Sequence, residues 1–196
     1  MGSNVYLAAA KSFGYKTETA STAIVHNVDP RDGERIAIRA LGLTAGASAT
    51  TAHIMQALGE STIGTAVVSG ATTAFAAAAE FQTSSNAVVS SDFIALELDD
   101  GSYQYTTIAT GTWSDFSIAD ALLDTVAAGN KVFGFGVHGD SGHIKLTCTA
   151  SVQTKWELDG GIFYADAKGR PVKIYHDNDA AAAGSIDYAT IDYIER

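Results

Sequence analysis

Hydrophobic and polar residues alternate with a period of two along much of the chain, the signature of strands with one buried face. The clearest case is 92–108, DFIALELDDGSYQYTTI. Ile94, Leu96 and Leu98 alternate with Phe93, Ala95 and Glu97, and Tyr103, Tyr105 and Thr107 alternate beyond Asp100-Gly101. Two turns fit, and they differ in register. A two-residue Asp100-Gly101 turn sets Leu98 opposite Tyr103, Leu96 opposite Tyr105 and Ile94 opposite Thr107. A three-residue turn that includes Asp99 sets Ser102 and Gln104 opposite the leucines. The uniformly core-like face of the first favours the two-residue type I′ turn.

The same pattern predicts strands elsewhere. Residues 23–28 form a short one, ended by the Asp29-Pro30-Arg31-Asp32-Gly33 turn. Residues 35–43 (RIAIRALGL) and 50–58 alternate on either side of Gly46-Ala47-Ser48 and read as a second hairpin-like pair. Residues 132–152 place Phe133, Phe135 and Val137 on one face and Ile144, Leu146 and Cys148 on another, joined through GDSG as a hairpin that sets Val137 opposite Ile144. Residues 172–176 and 185–194 complete the set, with Ile186, Tyr188, Thr190, Asp192 and Ile194 on one face of the last. One stretch breaks the period: in 115–128 (DFSIADALLDTVAA) Ile118, Leu122 and Val126 recur at helical spacing, Ser117 can cap and Gly129 can terminate, so one short helix is expected. The Ala- and Thr-rich stretch 60–91 is mixed, since alanine favours helix and its flanks favour strand.

These elements predict an all-β fold, an antiparallel β-sandwich of jelly-roll or Ig-like type with a small inserted β lobe and one short helix. Residues 1–22 read as an N-terminal arm, with a disordered terminus as the competing reading. Residues 23–196 form the sandwich, and 60–130 are set apart as the inserted lobe.

Composition narrows the function. The 196 residues carry a net charge of −10 and only 17% charged residues. Clustered Lys and Arg are missing, which argues against nucleic acid and anionic membrane as partners. A single cysteine, Cys148, excludes an internal disulfide and a multi-cysteine metal site. No basic n-region precedes an apolar run, so no export signal is expected. The low-charge, small-residue surface suits a subunit that packs against copies of itself or a partner.

Candidate chemistry is sparse. His53 in TTAHIM, Asp92 in DFIALEL and Ser141 in GDSGH resemble, in type and order, the three boxes of chymotrypsin-like serine proteases, whose serine attacks a carbonyl while the histidine takes its proton. The third box departs from that family at His143, and GDSG also reads as a tight turn. His138, Asp140 and His143 suggest a metal, but without diagnostic spacing. Asp99/Asp100, Asp177/Asp179 and Asp187/Asp192 lack any calcium-loop pattern. Cys148 lies on an apolar strand face and reads as core. Tyr103, Tyr105 and Trp113 offer a sugar-stacking face. No cofactor and no metal is expected.

Three stretches, 92–108, AAGNKVFGFGVHGDSGH ending at His143, and AKGRPVKIYHDNDAAAAGSIDYATIDYIE near the C-terminus, together resemble a class of tailed-bacteriophage virion proteins. The resemblance covers roughly residues 90–196. It implies a β-rich, non-enzymatic subunit, a capsid decoration or cement protein bound to the major capsid protein or another virion protein. A tail or head–tail junction subunit is the alternative. It also implies location in the virion after synthesis in the host cytoplasm. Interface residues are expected at Tyr6, Phe13 and Tyr15 of the arm and at Tyr188 and Tyr193 of the last strand. That strand carries large groups on both faces, which motivates a homo-oligomer, a trimer before a dimer.

Overall fold

The computed structural model describes residues 11–14, 24–81, 92–136, 143–157, 161–177 and 184–194. Its strands are β1 (Lys11–Gly14), β2 (Ile24–Val28), β3 (Arg35–Thr44), β4 (Thr50–Gln56), β5 (Gly59–Thr62), β6 (Phe75–Ala76), β7 (Phe93–Glu97) and β8 (Tyr103–Gly111). They continue with β9 (Asp115–Ile118), β10 (Lys131–Gly136), β11 (His143–Cys148), β12 (Gln153–Glu157), β13 (Phe163–Tyr164), β14 (Val172–Asp177) and β15 (Ser185–Ile194). The fold is all-β, every strand pair is antiparallel, and no helix occurs among the described residues. Two compact units are present: unit 1 is Met1–Gln56 with Gly142–Arg196, and unit 2 is Ala57–Ser141. The stretch 60–130 lies within unit 2.

Unit 1 holds two sheets. One runs β1-β15-β3-β12, with β13 also on β3; the other runs β11-β4-β14-β2. Each connection from β1 to β4, and from β11 through β15, crosses between the sheets, except that β12 and β13 both lie along β3. Both sheets feed one apolar cluster, with Ile36, Ile38, Leu41 and Leu43 from β3 meeting Ile54 from β4 and Val172 and Ile174 from β14. The expected hairpin of 35–43 with 50–58 is therefore corrected. β3 pairs with β15 and β12, β4 pairs with β11 and β14, and Gly46-Ala47-Ser48 carries the chain between sheets. The physical reason is burial: both strands are covered on both faces, which a two-stranded hairpin cannot provide. The crossing is stacked on the β11–β12 crossing by the Ser151 N–H, which donates to the Gly46 carbonyl at 2.7 Å.

β15 keeps its predicted bounds but not its predicted face. The extra residue Asp187, between Ile186 and Tyr188, shifts the alternation, whereas opposite Thr190 and Ile191 the extra residue, Arg39, lies on β3. As a result Ile186, Ala189, Ile191, Asp192 and Tyr193 are all buried. The strand is not an edge: β1 flanks it on one side and β3 on the other. Its large groups find cover within unit 1, so the local motive for an added copy at this strand disappears.

Unit 2 is one antiparallel sheet, β5-β10-β7-β8-β9-β6. Its two ends are joined, because the Gly64 N–H donates to the Ala76 carbonyl and the Ala78 N–H to the Thr62 carbonyl, both at 2.7 Å. Ile63, Phe75, Phe81, Ile94, Leu96, Ile108, Phe116 and Val132 fill its core. The hairpin of 92–108 forms, but in the other register: Leu96 faces Gln104, Ile94 faces Thr106 and Ala95 faces Tyr105. The turn is the three-residue one. The Gly101 N–H donates to the Leu98 carbonyl, Gly101 sits at φ +80°, and Leu98 N–H donates to the Ser102 carbonyl. A type I turn closed by a left-handed glycine is the usual three-residue solution.

The helix expected over 115–128 is likewise corrected. Residues 115–118 are strand β9, pairing with β8 and β6, with Phe116 and Ile118 buried on one face. Leu122 and Val126 do reach the core, as their spacing suggests, but from an irregular loop. The Leu122 N–H donates to the Ala71 carbonyl, and Val126 and Val67 exchange both backbone bonds. The expected hairpin across 132–152 does not form either. β10 pairs with β5 and β7, and β11 pairs with β4, so the strands flanking GDSG belong to different units. Phe133 faces Ala95 and Glu60, not Cys148.

Candidate functional site

The polar residues that the register buries explain the loop. Gln104 and Thr106 are 5% and 4% exposed and face the segment that the sequence reads as helix. Gln104 Nε2 donates to the Ala121 carbonyl at 3.0 Å, and its Oε1 accepts from the Leu123 N–H at 2.8 Å. Thr106 Oγ1 donates to Asp120 Oδ2 at 2.8 Å. A buried glutamine that satisfies both a carbonyl and an amide can hold a non-helical backbone against its helical preference. The price of burying Gln104 and Thr106 is met by these bonds.

The loop so held presents a distinctive surface. Leu122 is buried while Leu123 is 77% exposed, and Val68 on the neighbouring segment is 69% exposed. The two segments are bonded together: Gly70 N–H donates to the Leu122 carbonyl at 2.8 Å and Ser69 Oγ to the Leu123 carbonyl at 3.2 Å. Carboxylates border the pair. Asp120 and Asp124 are exposed on the loop, and the Asp99 N–H donates to the Thr125 carbonyl, which brings the exposed Asp99-Asp100 turn alongside. Hydrogen bonds from the Ser102 hydroxyl and amide hold the Asp100 carboxyl below its usual range. Charge is divided unequally between the units. Residues 57–141 contain ten Asp and Glu against one Lys, a net −9 of the chain's −10, which leaves −1 for unit 1.

The residues singled out from the sequence are placed as follows. Tyr6 and Tyr15 lie outside the described residues; Phe13 lies on β1, in register with Ala189. Tyr188 lies over Gly42, where a Cβ would approach its ring to 2.3 Å, and its hydroxyl donates to Glu157 at 2.8 Å. Burial together with the Glu157 carboxylate pushes the Tyr188 phenol up to about 12. Tyr193 is 8% exposed, its hydroxyl donates to the Asp29 carbonyl, and the Arg31 guanidinium lies 3.8 Å from its ring centroid. His53 belongs to unit 1, beside Tyr175, and the buried Asp92 to unit 2. Ser141, His138 and Asp140 lie outside the described residues, and His143 opens β11. No group of three or more His, Cys, Asp or Glu side chains is placed to hold a metal among the described residues. No helix among them is long and apolar enough to cross a membrane.

Several candidates have structural work instead. Cys148 is fully buried, and burial raises its thiol while Thr50 bonds to it. Asp192 accepts from Arg39 Nε at 2.7 Å, and Arg39 also bonds the Tyr164 hydroxyl. Burial alone would raise Asp187, but hydrogen bonds from Ser185, Gln153 and Thr44 outweigh it and hold the carboxyl below its usual range. Trp113 is buried against Phe81, while Tyr103 and Tyr105 pack on Phe133 and Phe135. Sequence reasoning missed Gln104, Thr106 and Leu123. A signal did exist, in that Leu122-Leu123 puts two adjacent leucines where a half-buried loop can bury only one. Comparison of the chain with family models, curated proteins and solved structures gives no significant match.

Proposed function

We propose that this chain is a non-enzymatic structural subunit of a tailed-phage virion, a capsid decoration protein in which unit 1 is a jelly roll and unit 2 a lobe inserted between two of its strands. The observation that carries the reading is the strand order. The rows β1-β15-β3-β12 and β2-β14-β4-β11, with the chain crossing from row to row, support the jelly-roll reading, for which an eight-stranded double Greek key is expected. An Ig-like order is less favoured, because Ig sandwiches join several paired neighbours by hairpins. Jelly rolls build viral capsid subunits, lectins and cupins alike, so the fold leaves function open. The resemblance over residues 90–196 turns the choice to the virion. Such a subunit acts through contacts, made to the major capsid protein or another virion protein and to copies of itself in a closed oligomer, a trimer before a dimer; with β15 covered by β1 and β3, the oligomer rests on the low-charge, small-residue composition and not on that strand. Nucleic acid, membrane and cofactor have no part in it.

The test is made on purified particles. Immunogold labelling should mark heads, and particles lacking the protein should lose resistance to heat or osmotic shock. Labelling confined to tails would replace this reading by the tail-subunit one, and the protein's absence from particles would end both. Light scattering on the purified chain checks the oligomer, which a clean monomer at tens of micromolar would refute.

A further inference from the structure

We infer that the face of unit 2 built from residues 67–71 and 120–125 is a docking surface for a protein partner that carries Lys or Arg side chains around an apolar recess. Three observations converge. Leu123 and Val68 are the two most exposed of the large hydrophobic residues described. Their backbone is not free to tuck them in, because Gln104, the Val67–Val126 pair and Gly70 fix both segments. The face belongs to a unit of net charge −9, and Asp99, Asp100, Asp120 and Asp124 border it.

The chemistry of the occupant follows from these facts. Anchors of this kind supply affinity when a partner desolvates them. Rim carboxylates supply steering and selectivity for a partner of opposite charge. A second copy of unit 2 brings the same negative charge and is repelled, as are an anionic lipid surface and nucleic acid. A bare cation would use the carboxylates but not Leu123 or Val68. The partner's protein nature rests on the structural-subunit reading; its basic and apolar character does not.

The experiment uses the full chain and three synthetic peptides of equal length: alternating Lys and Leu, alternating Lys and Ser, and alternating Glu and Leu. Amide shifts in nuclear magnetic resonance spectra locate binding. The Lys/Leu peptide is expected to shift residues 67–71 and 120–125, and to bind at least about tenfold more weakly when salt rises from about 50 to about 500 mM. Leu123→Ser should weaken it about fivefold or more. Val152→Ser, at an exposed apolar position of unit 1, should leave binding unchanged. Asp124→Asn keeps the acceptor for the Thr125 N–H and should flatten the salt dependence. Because Leu123 lies outside the core, an unchanged thermal midpoint certifies the fold of that variant. Equal binding of the Lys/Ser peptide, indifference to Leu123→Ser, shifts on another face, or no binding would each overturn the inference. A chain that fails these tests yet labels phage heads refutes the docking face alone. One that passes them and is found in no particle refutes the virion reading alone.

Discussion

At the scale of single residues, this protein places polar side chains where its sequence pattern asks for apolar ones. Gln104 and Thr106 occupy the inner face of β8 and use that position to bond a loop. Gln104→Leu should cost about 1–2 kcal/mol, since it strips partners from one amide and one carbonyl that water reaches only in part. Thr106→Val should cost about 1 kcal/mol or less, because the exposed Asp120 regains water. Urea denaturation of the full chain checks both, and a neutral Gln104→Leu would show that the loop is held by packing alone. His26 supplies a pH dependence. Burial lowers its imidazole from 6.5 to about 4, so in the folded chain it stays neutral where the unfolded chain takes up a proton. Stability therefore falls as pH drops from about 6.5 towards 4 and levels off below. Partial exposure limits the loss to about 1–2 kcal/mol. Asp187 has the opposite chemistry: its folded value is depressed, so its contribution persists above about 3.8 and is lost only in stronger acid. His26→Asn should flatten the curve between pH 6.5 and 4 and leave the acid limb intact. A variant that tracks the parent curve would reassign the effect.

At the scale of elements, alternation shows which residues share a face but is silent about which strand lies alongside. The bounds of β15, the strand after Pro171 and the inward-facing Ile94 and Leu96 were all legible, because each depends on local pattern alone. The partners of β3 and β4 were not, because tight Gly-containing connections serve equally to reverse a chain within a sheet or to cross between sheets. The register of β7 with β8 was misread for a related reason: matching apolar faces is a sound rule only when no buried polar residue has work to do. The helix over 115–128 failed together with it, since the side chains that fix the register are those that hold the loop. Of the candidate site, the aspartates and aromatics were visible as types. Their roles were not, because Arg39, Gln153 and Gly42 reach them from strands distant in sequence. The turn offers a quantitative check. Gly101 has no atom within 4 Å of an added Cβ, so Gly101→Ala should cost only the left-handed backbone term, about 1 kcal/mol. Gly111→Ala places its Cβ 2.2 Å from the Asp115 carbonyl as well, at φ +125°, and should cost clearly more. Equal penalties would mean that the β8–β9 bend yields more readily than its geometry indicates.

At the scale of the whole molecule, the insertion of one unit into another makes a prediction about autonomy. The chain leaves unit 1 after β4 and returns at β11, and those two strands are direct neighbours, with Met55 facing His143. Unit 2 is therefore inserted at a point where the two ends of unit 1 already lie side by side, and a connection of a few residues can replace it. The two apolar clusters draw on separate residues, one entirely within each unit. A chain in which residues 57–141 give way to a short Asn-Gly-containing turn should fold as unit 1 and unfold in a single cooperative transition. It should keep the pH 6.5–4 slope contributed by His26, because that residue and β14, the strand beside it, both remain. It should also lose nine of the ten units of net negative charge and migrate accordingly in native electrophoresis. Circular dichroism and urea titration measure the first result, and the slope is read from the same titration repeated across pH. A shortened chain that is unfolded, or that unfolds without cooperativity, would mean that unit 1 needs the inserted unit for its own core, and the division into two independent cores would be wrong.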